Sequence, residues 1–192
     1  MIPNDRTFNG RSYFQEGGKT FFRFQRIEEK GHYQFKIKFV SVNSPYKQGI
    51  AFKFSSKPEF KGEIIINGVR LEKPKKKRLN YVIEEALFKE NEFVAELLLI
   101  EGFVVFCNAS DILGDYPGLV DKVAELTGKP AEQFEGKGYT SGFSAANMYG
   151  NAFWVEVLSD NRYRFHCNDH KLDDDFDDLI FDVEVVRLDD WK

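Results

Sequence analysis

The sequence predicts a mainly β protein: a single β-sandwich or flattened barrel of about ten strands, with two short helices inserted. Three observations carry this reading. Aromatic residues make up 16% of the chain, with 20 Phe and 8 Tyr against 2 Met, and such rings suit pleated surfaces better than helical bundles. The segment Tyr33–Val42 (YQFKIKFVSV) alternates Tyr33, Phe35, Ile37 and Phe39 with Gln34, Lys36 and Lys38, the period of a strand with one wet face. Turn dipeptides punctuate the chain at intervals that fit short strands.

Taken in order, residues 1–20 are polar and Gly-rich and read as a loosely held arm, which leaves 21–192 as one domain. Phe21–Ile27 and Tyr33–Val42 flank a Lys30-Gly31 turn and are expected to form a hairpin. Ile50–Phe54 and Glu63–Ile66 are short strands. The second runs into Asn67-Gly68, the dipeptide best suited to a two-residue hairpin turn. Asn80–Lys89 sets Val82, Ile83, Ala86 and Leu87 at helical spacing behind an Asn80 cap, so the first helix is expected there. Phe93–Ile100 and Phe103–Asn108 read as buried strands. Asp115–Gly128 is the second helix, with an Asp cap, Pro117 in its first turn, Leu119, Val120, Val123 and Leu126 on one face, and Gly128 as its stop. Strands follow at Phe153–Leu158, at Arg162–Asn168 across an Asp160-Asn161 turn, and at Leu179–Leu188.

Charge and composition remove several classes of function. A net charge of −4 gives no global field for nucleic acid, and the basic run Lys73–Arg78 reads as a solvated connection. The longest apolar stretch breaks at Glu101-Gly102, short of the roughly 20 residues that span a bilayer, so no membrane insertion is expected. The N-terminus has no basic region followed by an apolar run, which predicts a cytoplasmic protein. Asn108-Ala109-Ser110 is then only a formal glycosylation sequon. Cys107 and Cys167 alternate with aromatic and aliphatic neighbours and read as buried free thiols.

The chemically loaded stretch is Asp169–Asp178 (DHKLDDDFDD), six carboxylates in ten residues between two expected strands. Such a cluster repels itself unless a cation neutralises it, and Ca²⁺ takes roughly six to eight oxygen ligands. The alternative is a solvated acidic turn. The spacing of Asp173, Asp175, Asp177, Ile180 and Glu184 overlays an EF-hand loop, but Asp178 stands where that loop needs Gly and the flanks read as strands.

The spacing Asp169-x-x-x-Asp173-x-Asp175-Phe176-Asp177-Asp178, running into Leu179-Ile180-Phe181, resembles the calcium loop of the calcium-dependent fucose-binding bacterial lectins. The resemblance covers these ten residues and the strand after them. It implies Ca²⁺ as cofactor, Asp169, Asp173, Asp175, Asp177 and Asp178 as metal ligands, and sugar hydroxyls bound through the metal. Those lectins add a C-terminal glycine carboxylate, whereas this chain ends in Asp189-Asp190-Trp191-Lys192.

Within the Gly-, Ser- and Asn-rich run 136–151, Tyr139, Phe143, Asn147 and Tyr149 offer rings beside amides and are the candidate ligand-binding residues, for a carbohydrate or a protein. His166 and His170 lie near the acids, but no nucleophile stands in a recognisable setting. The expected function is therefore a non-enzymatic, lectin-like calcium-binding module whose ligand is a carbohydrate. The alternative is a metal-free inhibitor or immunity-type protein that meets a basic protein partner. A His/Asp hydrolase ranks third.

Overall fold

The computed structural model describes residues 13–22, 24–44, 48–70, 80–84, 92–111, 139–141, 152–169 and 175–188. Their strands are Tyr13–Glu16 (β1), Lys19–Phe22 (β2), Gln25–Ile27 (β3), Gly31–Val42 (β4), Gln48–Phe54 (β5), Lys61–Ile66 (β6), Val69–Arg70 (β7), Asn80–Glu84 (β8), Glu92–Glu101 (β9), Val104–Asp111 (β10), Tyr139–Ser141 (β11), Phe153–Ser159 (β12), Arg162–Cys167 (β13) and Leu179–Arg187 (β14). They form two antiparallel sheets. The large one runs β1-β2-β12-β13-β14-β4-β9-β6-β7, the small one β11-β10-β5-β8, with β3 also paired to β10. Among the described residues neither sheet closes into a barrel.

The mainly β expectation holds, with several corrections. No helix occurs among the described residues. The helix expected at Asn80–Lys89 is replaced over residues 80–84 by β8, which pairs antiparallel with β5 from Asn80↔Lys53 to Glu84↔Gly49. Tyr81, Val82 and Ile83 suit a pleated ladder, and tertiary pairing overrides a short helical spacing. The helix expected at Asp115–Gly128 lies outside the described residues.

The Phe21–Ile27/Tyr33–Val42 hairpin does not form. Instead β2 pairs with β1 and β12, β3 with β10, and β4 with β14 and β9. Alternation identifies a strand without choosing its neighbour. The arm read at residues 1–20 gives way over 13–20 to the β1–β2 hairpin, turned by Gly17-Gly18 with φ of 57° and 78°, angles that glycine adopts without steric cost. The Asn67-Gly68 turn forms as expected between β6 and β7, with φ of 48° and 80°.

Rings from both sheets meet in one core. Phe165 of β13 is 0% exposed, stacks on Phe181 at 4.8 Å, and lies 5.1 Å from Phe153 and 5.6 Å from Phe106 of the small sheet. Cys107 and Cys167 are buried free thiols, as their alternation predicted.

The opposite face of the large sheet carries a transverse row of alternating charge. Glu156, Arg164, Asp182, Lys38 and Glu92 stand directly opposite one another across β12, β13, β14, β4 and β9. Arg164 donates twice to Asp182, Nε to Oδ1 at 2.7 Å and Nη2 to Oδ2 at 3.1 Å. Opposite charges at facing positions support the register, while each exposed pair adds little by itself.

Where β6 meets β9 the register shifts between Lys61 and Gly62. Gly62 has φ 153°, and a Cβ there would sit 1.9 Å from the Leu98 carbonyl oxygen. Backbone, not a movable side chain, blocks it. Gly62→Ala is therefore expected to cost about 1–3 kcal/mol, toward the upper end, as a lowered urea midpoint.

Candidate functional site at the acidic loop

The ends of the acidic segment are fixed by backbone bonds. The Asn168 N–H donates to the Ala152 carbonyl at 2.8 Å at the end of β13, and the Asn43 N–H donates to the Asp178 carbonyl at 3.0 Å before β14. Between these ties the acids divide. Asp169 and Asp178 are 0% and 2% exposed, whereas Asp175 is exposed and Asp177 half-buried. Asp173 lies outside the described residues.

The buried pair closes the loop at its base. Asp178 Oδ2 accepts the Asp169 N–H at 2.7 Å. Asp169 Oδ2 accepts the Ser44 hydroxyl and, at 3.5 Å, the Gln48 amide. The outer pair has its own contacts: Asp177 Oδ2 accepts from Asn43 Nδ2 at 3.3 Å, and the Asp177 N–H donates to Asp175 Oδ1 at 3.4 Å. The structure thus brings Asp169 to Asp178 and Asp175 to Asp177, but does not gather these four into one ring. Among the described residues no group of three or more His, Cys, Asp or Glu is arranged to hold a metal.

Phe176 sits between Asp175 and Asp177 in the chain and anchors the segment. Its φ is 58°, a left-handed value uncommon for a side chain of this size, and its ring is buried 4.6 Å from Phe21. With Ala152 and the flank of Trp154 these residues make a second, smaller apolar cluster. Burying the ring offsets the backbone strain, and Asp175 and Asp177 are displayed on either side of the anchor.

The buried polar neighbours were not read as site residues in the sequence. Asn108 and Ser110 on β10 are 0% exposed, and Gln48 opens β5 at 3%. Asn108 Nδ2 donates to the Asn168 carbonyl at 2.8 Å, while its Oδ1 is buried with no hydrogen-bond partner. That burial also seals the Asn108-Ala109-Ser110 sequon inside the fold. Polar residues within an otherwise apolar strand were the available signal. Next to them, burial pushes the Cys167 thiol well up, and the neighbouring Cys107 and Asp178 push the same way.

Of the expected ligand-binding residues, Tyr139 begins β11, and Phe143, Asn147 and Tyr149 lie outside the described residues. His170 does too. His166 stacks on Trp154, with ring centroids 3.9 Å apart and planes at 2°, and faces Glu156 Oε2 at 3.3 Å rather than an aspartate. Lys19 lies 4.0 Å from the centroid of the same Trp154 ring.

Burial pulls the His166 pKa below its ordinary 6.5, helped by Arg164 and Lys19 and opposed by the Glu156 hydrogen bond and charge. The unfolded chain therefore binds this proton more readily than the native one. His166 should subtract stability as pH falls below about 6.5, with no such loss above it. Unfolding curves of His166→Gln are expected to show a shallower decline between about pH 6.5 and 5 than the wild type. Parallel declines would contradict that assignment.

No helix among the described residues is long and apolar enough to cross a membrane. No protein-family model, curated protein or solved structure matches the chain.

Proposed function

We propose that this protein is a non-enzymatic β-sandwich binding module that takes Ca²⁺ at the segment between β13 and β14 and recognises a carbohydrate. The supporting observation is a pair of buried carboxylates, Asp169 and Asp178, tied through the Asp169 backbone, with Gln48 donating to Asp169 and the Asn108 amide held on the carbonyl of the preceding Asn168. Carboxylate and amide oxygens are what a hard divalent cation selects, and two negative charges match its own. The His166 ring is committed to a stack and a glutamate contact, which favours binding over hydrolysis.

Calorimetric titration of chelator-treated protein tests the reading. Ca²⁺ should give a saturable isotherm, with Mg²⁺ much weaker because it dehydrates reluctantly and demands tighter octahedral geometry. A glycan array should then give hits that vanish with chelator. A flat Ca²⁺ titration would end the proposal.

A second reading draws on the outer acids. Asp175 is exposed, and the buried acids already accept hydrogen bonds within the protein, which suits a metal-free protein that meets a basic partner. That interaction should weaken steadily as salt rises and ignore chelator.

A further inference from the structure

We propose that the cation is held from both sheets at once: Asn108 Oδ1, from the small sheet, completes a shell begun by Asp169 and Asp178 in the connection between two strands of the large sheet, so that the ion clamps one sheet to the other. The inference rests on the calcium reading above and deepens it, because it moves the ion from the outer acids to the buried base of the segment.

Three features lead there. Asn108 is 0% exposed, and its Oδ1 has neither solvent nor a hydrogen-bond donor. Its Nδ2 is engaged with the Asn168 carbonyl at 2.8 Å, which fixes the carboxamide against the residue preceding Asp169. A buried acceptor that satisfies nothing bears the full cost of leaving water, and a packed loop turn does not explain it. Second, the two carboxylates are already oriented. Asp178 Oδ2 is directed by the Asp169 N–H, and Asp169 Oδ2 by Ser44 and Gln48, the kind of outer contacts that hold ligating carboxylates in place. Third, the donors come from opposite sides: Asn108 lies on β10 and Gln48 on β5, while Asp169 and Asp178 bracket the connection between β13 and β14. Ca²⁺ shells routinely mix carboxylate with amide oxygens.

The test uses the full chain with Ca²⁺ and with Tb³⁺ as a luminescent probe of similar size. Asn108→Ala, with its fold checked by circular dichroism, should bind Ca²⁺ at least about tenfold more weakly than wild type. Asn108→Asp keeps an oxygen for the ion but removes the donor to the Asn168 carbonyl, so it should lose less affinity than Asn108→Ala. Tb³⁺ lifetimes in H₂O and D₂O on the wild type count the waters left on the ion. Asn108, Asp169 and Asp178 offer up to five oxygens, so a clamped ion keeps about three or fewer of its roughly six to eight as water. Unchanged affinity in folded Asn108→Ala, a loss in Asn108→Asp as large as that in Asn108→Ala, or a largely hydrated ion would place the cation on the outer acids and overturn the clamp while leaving calcium binding intact. If Asn108→Ala does not fold, the lifetimes decide. No binding by the wild type would remove the calcium reading and the clamp with it.

Discussion

Phe165→Ala is expected to remove about 3–5 kcal/mol of stability, the range for truncating a large aromatic in a packed core. The ring is fully buried and has Phe181, Phe153 and Phe106 as neighbours from both sheets, so the surroundings cannot collapse into the space from one side alone. At roughly 2–4 °C per kcal/mol for a chain of this length, the melting point should fall by about 6–20 °C. Urea unfolding should give a lower midpoint with an unchanged slope. Phe165→Leu, which refills part of the volume, should recover much of the loss. A loss below about 1 kcal/mol in Phe165→Ala would mean that the sheets are not joined through this ring.

The second large effect is calcium-dependent stability. An ion that binds only the native state adds roughly 2.7 kcal/mol at a hundredfold excess over its dissociation constant. That corresponds to a rise of about 5–10 °C in melting temperature. Millimolar Ca²⁺ should produce it and Mg²⁺ should not. Asp175→Asn combined with Asp178→Asn should abolish the gain. Asparagine at 178 keeps an oxygen able to accept the Asp169 N–H, so the double change removes charge without opening the base of the segment. If the acids form only a turn, the same double change should stabilise the protein without metal by relieving repulsion. Equal melting curves with and without Ca²⁺ would leave no role for the ion.

Local pattern carried a good part of the fold. The alternation at Tyr33–Val42 becomes β4, the Asn67-Gly68 dipeptide becomes a hairpin turn, and the alternation around Cys107 and Cys167 correctly buries both thiols. Partner choice was not legible, because β3 joins β10 across about 80 residues of chain for reasons that no local window contains. Residues 80–84 show the same limit: Val82 and Ile83 satisfy a helical spacing and a strand propensity together, and pairing with β5 decides between them.

At the candidate site, the density of aspartates directed attention to the connection between β13 and β14 but not to its division into an inner and an outer pair. Asp169 and Asp178 look identical to their neighbours as letters. Only burial separates them. Asn108 was hidden for a related reason: a polar residue in a strand reads as facing water until both faces of that strand are known to be covered, as they are from Val104 to Ser110.

The order of the strands also bears on how copies of this protein behave toward one another. A sheet can recruit a strand from another molecule only along a rim, where N–H and C=O groups point outward in register. The longest ladders, β4 with 12 residues, β9 with 10 and β14 with 9, occupy the middle of the large sheet. Among the described residues the rims are β1 and β7, with 4 and 2 residues, β11, β3 and β8, with 3, 3 and 5, and the parts of β12 after Trp154 and of β6 before Ile65 that their shorter neighbours leave uncovered. A visiting strand would find only a few bonds at any of them, too few to repay the entropy of docking. Among the described residues, a chain so rich in phenylalanine thereby keeps its longest strands flanked by neighbours on both sides.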